Sequence, residues 1–284
     1  MAPFMREGLE QGDTVFAATT QRNLEALREE LGDDAERMQL EDTTEWATQP
    51  YERLQRFRAL VDAVPPGRAL RALGEPVWEG SDAVVRQWAR YESIINLALA
   101  GAPMKFICLY DGSSLPPHIV DYASHTHPAC VRDGEAVPSE TFVAPEEFGP
   151  AGSPPDPPVR ALELPLDGSE LRHTLFAFAL EHGLPRRRAE DFMIAANEIA
   201  TNALIHGGGP TRALLWEERD GELVCRIEDA GPGLADPLAG WLPPEDPRNG
   251  GWGLALTRQL CDAMEIVLNG SGTSVWLHLG REAA

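Results

Sequence analysis

Lysine is almost missing from this chain of 284 residues: Lys105 is the only one. Counting arginine, 24 basic residues stand against 45 aspartates and glutamates, a formal charge of -21. That deficit excludes a nucleic-acid binder working by phosphate neutralisation, because such affinity comes from counterions released by a basic face. It also argues against docking on an anionic lipid surface. The acid excess is spread along the chain without an acidic tail, the pattern of a solvated surface. Cysteine is scarce as well. Cys108, Cys130, Cys225 and Cys261 form no CxxC, and no two lie at metal-ligand spacing. Cys108 and Cys225 fall inside apolar strand-like runs, where a cysteine is expected to serve as a small buried hydrophobe. A reduced, cytoplasmic protein follows as the expectation. Long hydrophobic runs are lacking too. The longest uncharged apolar stretch, Ser93 to Met104, is too short to span a bilayer, and no signal-peptide pattern is read at the N-terminus.

Length points to about two domains. The seam is Ala144 to Arg160, with six prolines and two glycines in 17 residues and no apolar periodicity, which reads as a semi-extended linker. The expected division is 1–143, a linker over 144–160, and 161–284. In the first part, helical spacing over Phe4–Glu10, Gln21–Leu31, Tyr51–Val64 and Ser81–Ala100 alternates with strand-like Thr14–Ala18 and Lys105–Tyr110. Alternation of this kind predicts an α/β domain with a mostly parallel sheet. No Cys/His/Asp cluster or phosphate loop is visible there, which argues against a metabolic enzyme. The second part reads as helices over Glu170–His182, Ala189–His206 and Trp252–Ala263. Two hairpins accompany them, Thr211–Asp229 with its Asp220-Gly221 turn and Glu265–Leu279. That order predicts an α+β domain with helices on one face of a mixed sheet.

Three signals carry chemistry. Glu198, Asn202 and His206 recur every fourth residue and share one stripe of a helix. A carboxylate and a carboxamide one turn apart suit a hard cation such as Mg²⁺, and the carboxylate could take a proton from an attacking hydroxyl. Asp229 ends the face of a strand that carries Leu223, Cys225 and Ile227, so its carboxylate points inward and needs a donor such as an adenine amine. Gly231 and Gly233 follow at once, where a planar ligand can approach the backbone. Gly250, Gly251 and Gly253 precede a helix, freeing N–H groups for phosphates, and Leu234–Asn249 has the composition of a mobile lid.

In this order, Glu198-Ile199-Ala200-Thr201-Asn202-Ala203, Asp229-Ala230-Gly231-Pro232-Gly233, Gly250-Gly251-Trp252-Gly253-Leu254 and Gly272-Thr273 resemble the boxes of the GHKL ATP-binding superfamily, whose fold is the Bergerat-type sandwich. Leu171–Pro185 and the run from Gly253 to Asp262 are most similar to its anti-sigma serine/threonine-kinase group. The resemblance implies Glu198 as general base toward a substrate serine, Asn202 as Mg²⁺ ligand and Asp229 as the reader of the adenine amine. It further implies Gly231 and Gly233 at the adenine, Gly250, Gly251 and Gly253 at the phosphates, and Thr273 as support for the base. His206 is assigned either to nucleotide contact or to satisfying the carbonyls at its own helix end. No upstream helix pair offers a phospho-accepting histidine; His173 and His182 lie in the domain's own first helix. The implied partners are a sigma factor and a STAS-type anti-anti-sigma protein, with a homodimer as a further assembly to test. The alternative is a nucleotide-gated binding module without useful kinase activity.

The first part is similar to the MEDS sensory domain in Gly74-Glu75-Pro76-Val77-Trp78, Tyr91-Glu92 with Asn96-Leu97-Ala98, Cys108-Leu109-Tyr110-Asp111 and Thr126-His127-Pro128. That resemblance implies a sensory role, with Glu92, Tyr110, Asp111 and His127 as candidate ligand contacts. The family's opening strand, with an early His and Tyr, has no counterpart before Phe4.

Overall fold

Two strands with nearly every residue buried set the first sheet: β1 (Thr14–Thr19) and β3 (Leu70–Gly74), the pattern of parallel strands covered on both faces. In this computed structural model the described residues are 1–132, 134–149, 160–164, 168–208, 211–234, 236–244, 251–268 and 272–281. The chain forms two compact units, Met1–Glu79 with Tyr91–Phe148, and Gly80–Arg90 with Gly149–Ala284.

In the first unit, α1 (Ala2–Gln11) leads to β1, then α2 (Gln21–Leu31), β2 (Gln39–Asp42), α3 (Pro50–Asp62) and β3. Next come α4 (Asp82–Ala98), of which Tyr91 onward belongs to this unit, β4 (Met104–Cys108), α5 (Pro117–Thr126) and a small hairpin of β5 (Ala129–Arg132) and β6 (Glu135–Pro138). Four strands pair in the order β2-β1-β3-β4, all parallel, as the alternating pattern predicts. Pro3 opens α1 and Gly12, in the left-handed region at φ 72°, closes it. Phe16, Trp46, Phe57 and Phe106 meet in tilted and edge-on contacts, ring centroids 4.8–5.8 Å apart, as an aromatic cluster. Lys105 is exposed on β4, the edge strand.

The second unit holds β7 (Arg160–Leu164), α6 (Gly168–Glu181), α7 (Arg186–His206), β8 (Thr211–Glu217), β9 (Leu223–Asp229), α8 (Gly253–Leu260), β10 (Ala263–Leu268) and β11 (Thr273–Leu279). The sheet order is β10-β11-β9-β8-β7. Where the sequence predicts a mixed sheet, every described pairing is antiparallel. The reason is topological: β9 and β10 point the same way across the α8 crossover, but β11 inserts between them and runs opposite to both. One face of the sheet, with Ala213, Leu215, Leu223, Cys225, Ile227, Val275 and Leu277, packs with Phe178, Phe192, Ala195, Ile199 and Ala203 of α6 and α7. The helix predicted over Trp252–Ala263 ends at Leu260, and Ala263–Met264 already belong to β10.

Gly80–Arg90, which the sequence pattern assigns to the first domain, is part of the second unit. Gln87 explains why. Its amide donates to the Asp262 carbonyl at 3.1 Å and accepts from the Met264 N–H at 2.7 Å, replacing ladder bonds at the start of β10. Beside it Arg86 grips Glu265 with two bonds of 2.7 and 3.0 Å.

Candidate functional site

Helix α7 is long because its first residue follows Pro185 and its buried face is alanine-rich, with Ala189, Ala195, Ala196, Ala200 and Ala203 interleaved with Phe192 and Ile199. Small residues let the helix lie close on the sheet while Glu198 and Asn202 stay half-buried at one side. The start of α8 meets them there. A Cβ placed on Gly253 would lie 2.9 Å from Glu198 Oε2 and 3.3 Å from Asn202 Nδ2. Glycine lets the first turn of α8, with its unpaired N–H groups, come close to these two side-chain ends without displacing them.

The other end of α7 meets the end of β9. A Cβ on Gly207 would lie 2.6 Å from the Asp229 Cβ, so the helix terminus and the strand terminus touch backbone to side chain. Asp229 Oδ1 accepts the Gly231 N–H at 2.8 Å, fixing the turn. Among the described residues Asp229 Oδ2 carries no hydrogen bond. Thr273 pairs with Asp229 across the β9–β11 ladder and is buried. Gly233 holds φ 84° against Leu268. The two ends of the site are separated along α7 by nine residues, about 13 Å at 1.5 Å per residue.

Not every predicted residue converges. The His206 side chain is exposed, and it is the carbonyl of His206 that borders Gly231. Gly251 lies beside Pro244 with φ 86°. Gly250 lies outside the described residues, as do most of the linker and residues 245–249 of the expected lid. The described part of that lid is anchored rather than loose. Trp241 is 1% exposed, and the Arg258 guanidinium sits 4.0 Å above its ring. Proline and glycine content conceals this, because one aromatic anchor outweighs the freedom of its neighbours.

In the first unit, Glu92, Tyr110 and His127 do meet. The Tyr110 hydroxyl lies 3.4 Å and His127 Nε2 3.5 Å from Glu92 Oε2. Cys108, expected to act only as a hydrophobe, joins them with Sγ 3.7 Å from the same oxygen. Asp111 does not take part; its carboxylate binds the Ser113 N–H and the hydroxyls of Ser113 and Ser114 in an exposed turn. Those bonds, the Ser113 hydroxyl first, hold its carboxyl below the usual range.

No curated protein matches the chain. Among solved structures, similarity is found to the RsbU and RsbW domains of Rv1364c from Mycobacterium tuberculosis, at 21% identity over 42% of this chain and 32% of that one, with a TM-score of 0.31. The histidine kinase domain of the blue-light activated histidine kinase EL346 from Erythrobacter litoralis is 22% identical over 39% of this chain and 59% of that one, TM-score 0.28. This chain therefore spans between a third and three fifths of those proteins. Residues 1–128 match the MEDS family, the MEthanogen/methylotroph, DcmR Sensory domain, and residues 165–279 match the histidine kinase-like ATPase domain. With the α7–β9–α8 geometry above, the chain is a MEDS sensory domain followed by a histidine-kinase-like ATPase domain.

Proposed function

We propose that the second unit is an ATP-Mg²⁺-dependent serine/threonine protein kinase of the anti-sigma type, regulated by the first. The ATPase family implies ATP binding. The observation that carries the rest is the space at Gly253, walled by the Glu198 carboxylate and the Asn202 amide, a cradle that any Cβ would fill. That pair fits Mg²⁺ once the Asn202 carboxamide turns its oxygen, in place of Nδ2, toward the site as a neutral ligand. The cation, when bound, neutralises charge on the phosphates. Glu198 accepts the proton of the substrate hydroxyl as its oxygen bonds to the γ-phosphorus and the bond to the β-phosphate oxygen breaks, leaving ADP. Gly251 and Gly253 line the phosphates, Asp229 holds the adenine amine, Gly231 and Gly233 leave room for the base, and Thr273 backs it. The expected phosphoacceptor is a STAS-type anti-anti-sigma protein, and the competing partner is a sigma factor.

Glu198→Gln keeps shape and hydrogen bonding but removes the base. It is expected to retain nucleotide affinity and lose phosphoryl transfer by ~10²-fold or more, measured with labelled ATP-Mg²⁺ and a STAS-domain protein. If the parent chain transfers no phosphate to any such partner yet its partner affinity changes with nucleotide, the gated-binding reading replaces the kinase. Asp229→Asn tests the other end. It is expected to weaken ATP and ADP alike by about 1.5–3 kcal/mol, the range for a hydrogen bond to a charged group. Equal calorimetric affinities of variant and parent would remove Asp229 from the adenine site.

A further inference from the structure

We propose that Glu92, Cys108 and His127 of the first unit bind a divalent transition-metal ion of the zinc type. The proposal is independent of the nucleotide reading. The three come from the middle of α4, the last residue of β4 and the residue after α5, so no local sequence spacing announces them. Their ligand atoms all lie within 4.8 Å of one another. Sulfur to oxygen is 3.7 Å and nitrogen to oxygen 3.5 Å. Tetrahedral zinc, with bonds of about 2.0–2.3 Å, separates its ligand atoms by roughly 3.3–3.6 Å. A carboxylate bonded directly to a charged N–H donor closes to about 2.7–2.9 Å. The two separations that involve Glu92 are close to the spacing of ligands around one ion, and wider than a direct charge-assisted bond.

The histidine tautomer points the same way. Its Nδ1 lies 2.9 Å from the Ala123 carbonyl oxygen, which can only accept, so Nδ1 carries a hydrogen. That leaves Nε2 as the ring atom facing the Glu92 carboxylate, itself only 4% exposed, across 3.5 Å. A carbonyl on Nδ1 is also the usual support of a metal-ligating histidine. The cluster lies beyond the carboxyl end of β4, where open parallel sheets take their ligands.

Charge closes as well. Binding forms a metal–sulfur bond and releases the thiol proton to solvent, giving a dication matched by one thiolate and one carboxylate. Arg53, Glu75 and Tyr91 line the small cavity alongside. Three protein ligands leave a fourth position, as in open rather than closed structural zinc sites. The Tyr110 hydroxyl, with its ring edge-on to His127 at 5.5 Å, stands ready to hydrogen-bond a small Lewis base there.

The test uses the full chain, reduced and stripped with a chelator, titrated with Co²⁺. A sulfur-to-cobalt charge-transfer band saturating at one equivalent and bleached by Zn²⁺ is expected. Cys108→Ser removes the band, Glu92→Gln and His127→Gln weaken binding at least tenfold, and Cys130→Ser and Asp111→Ala leave it unchanged. Should Cys108→Ser fail to fold, the parent chain still decides: Zn²⁺ must slow alkylation of Cys108 and not of Cys130, read by mass spectrometry. Absence of the band with reduced thiols, its survival in Cys108→Ser, or alkylation of Cys108 at an unchanged rate would overturn the site.

Discussion

Trp241→Ala is expected to destabilise the second unit by about 3–5 kcal/mol, the range for deleting a buried aromatic. The side chain is 1% exposed and is among the largest fully buried in the chain. Its removal leaves a cavity and strips the Arg258 cation of the ring 4.0 Å away. Arg258 is itself 5% exposed, with one bond of 3.3 Å to the Met264 carbonyl. Burial, and then the neighbouring Arg90 charge, already lower its pKa. A buried cation that loses a partner is costly, so the effect should fall at the upper end of the range. Urea unfolding followed by a signal specific to the second unit measures it, with Trp241→Phe recovering most of the loss. A change under about 1 kcal/mol would mean that residues 236–244 are not held by this contact. The same variant should weaken nucleotide binding, since Gly240 packs directly on Leu254 in the first turn of α8, next to Gly253.

The second large effect is a loss of stability at alkaline pH. His278 on β11 is buried between two carboxylates, with Nδ1 2.9 Å from Glu222 and Nε2 3.4 Å from Glu265. Burial alone would lower its pKa, but the bond to Glu222 and the charge of Glu265 outweigh that and raise it to about 9. Glu265 responds in the opposite sense: burial raises it, yet His278 and Arg86 hold its carboxyl below the ordinary range. A histidine at about 9 when folded and 6.5 when unfolded contributes on the order of 3 kcal/mol. That contribution is fully present below pH 6.5 and is lost as pH rises through 9. Stability of the second unit measured from pH 6 to 10 should fall accordingly, and His278→Gln should flatten the profile. An unchanged slope in that variant would assign the alkaline loss elsewhere.

The proposed nucleotide site is readable in the sequence because its chemistry is local. Glu198 and Asn202 share one helix face, and Asp229 with its glycines occupies one strand end, so period and turn composition place them within a few residues. What escaped was set by distant partners. β3 carries Arg71 in the middle of a fully buried strand, which reads as polar until Glu7 and the Phe4 carbonyl, 2.9 and 3.1 Å away, are brought to it by folding. β2 is four residues long and polar, and β7 emerges directly from the proline-rich seam. Gln87 looks like any polar helix residue until its amide completes the backbone of β10. The Glu92–Cys108–His127 cluster was half visible, its cysteine hidden because ligand spacing along the chain says nothing about ligands carried on three separate elements.

The solitary lysine has a practical consequence. Lys105 is exposed on an edge strand three residues before Cys108, and strand alternation turns the two side chains to opposite faces of the sheet. Apart from the terminal amine, every amine-directed reagent therefore reaches a single address on the folded chain. Isotopic dimethylation of that ε-amine would install one methyl reporter on β4, close enough to register metal loading through the strand yet off the face that carries the ligands. Only the terminal amine would add a second signal, and because an α-amine ordinarily titrates below an ε-amine a pH titration sets the two apart, so the resonance is assigned without any mutagenesis.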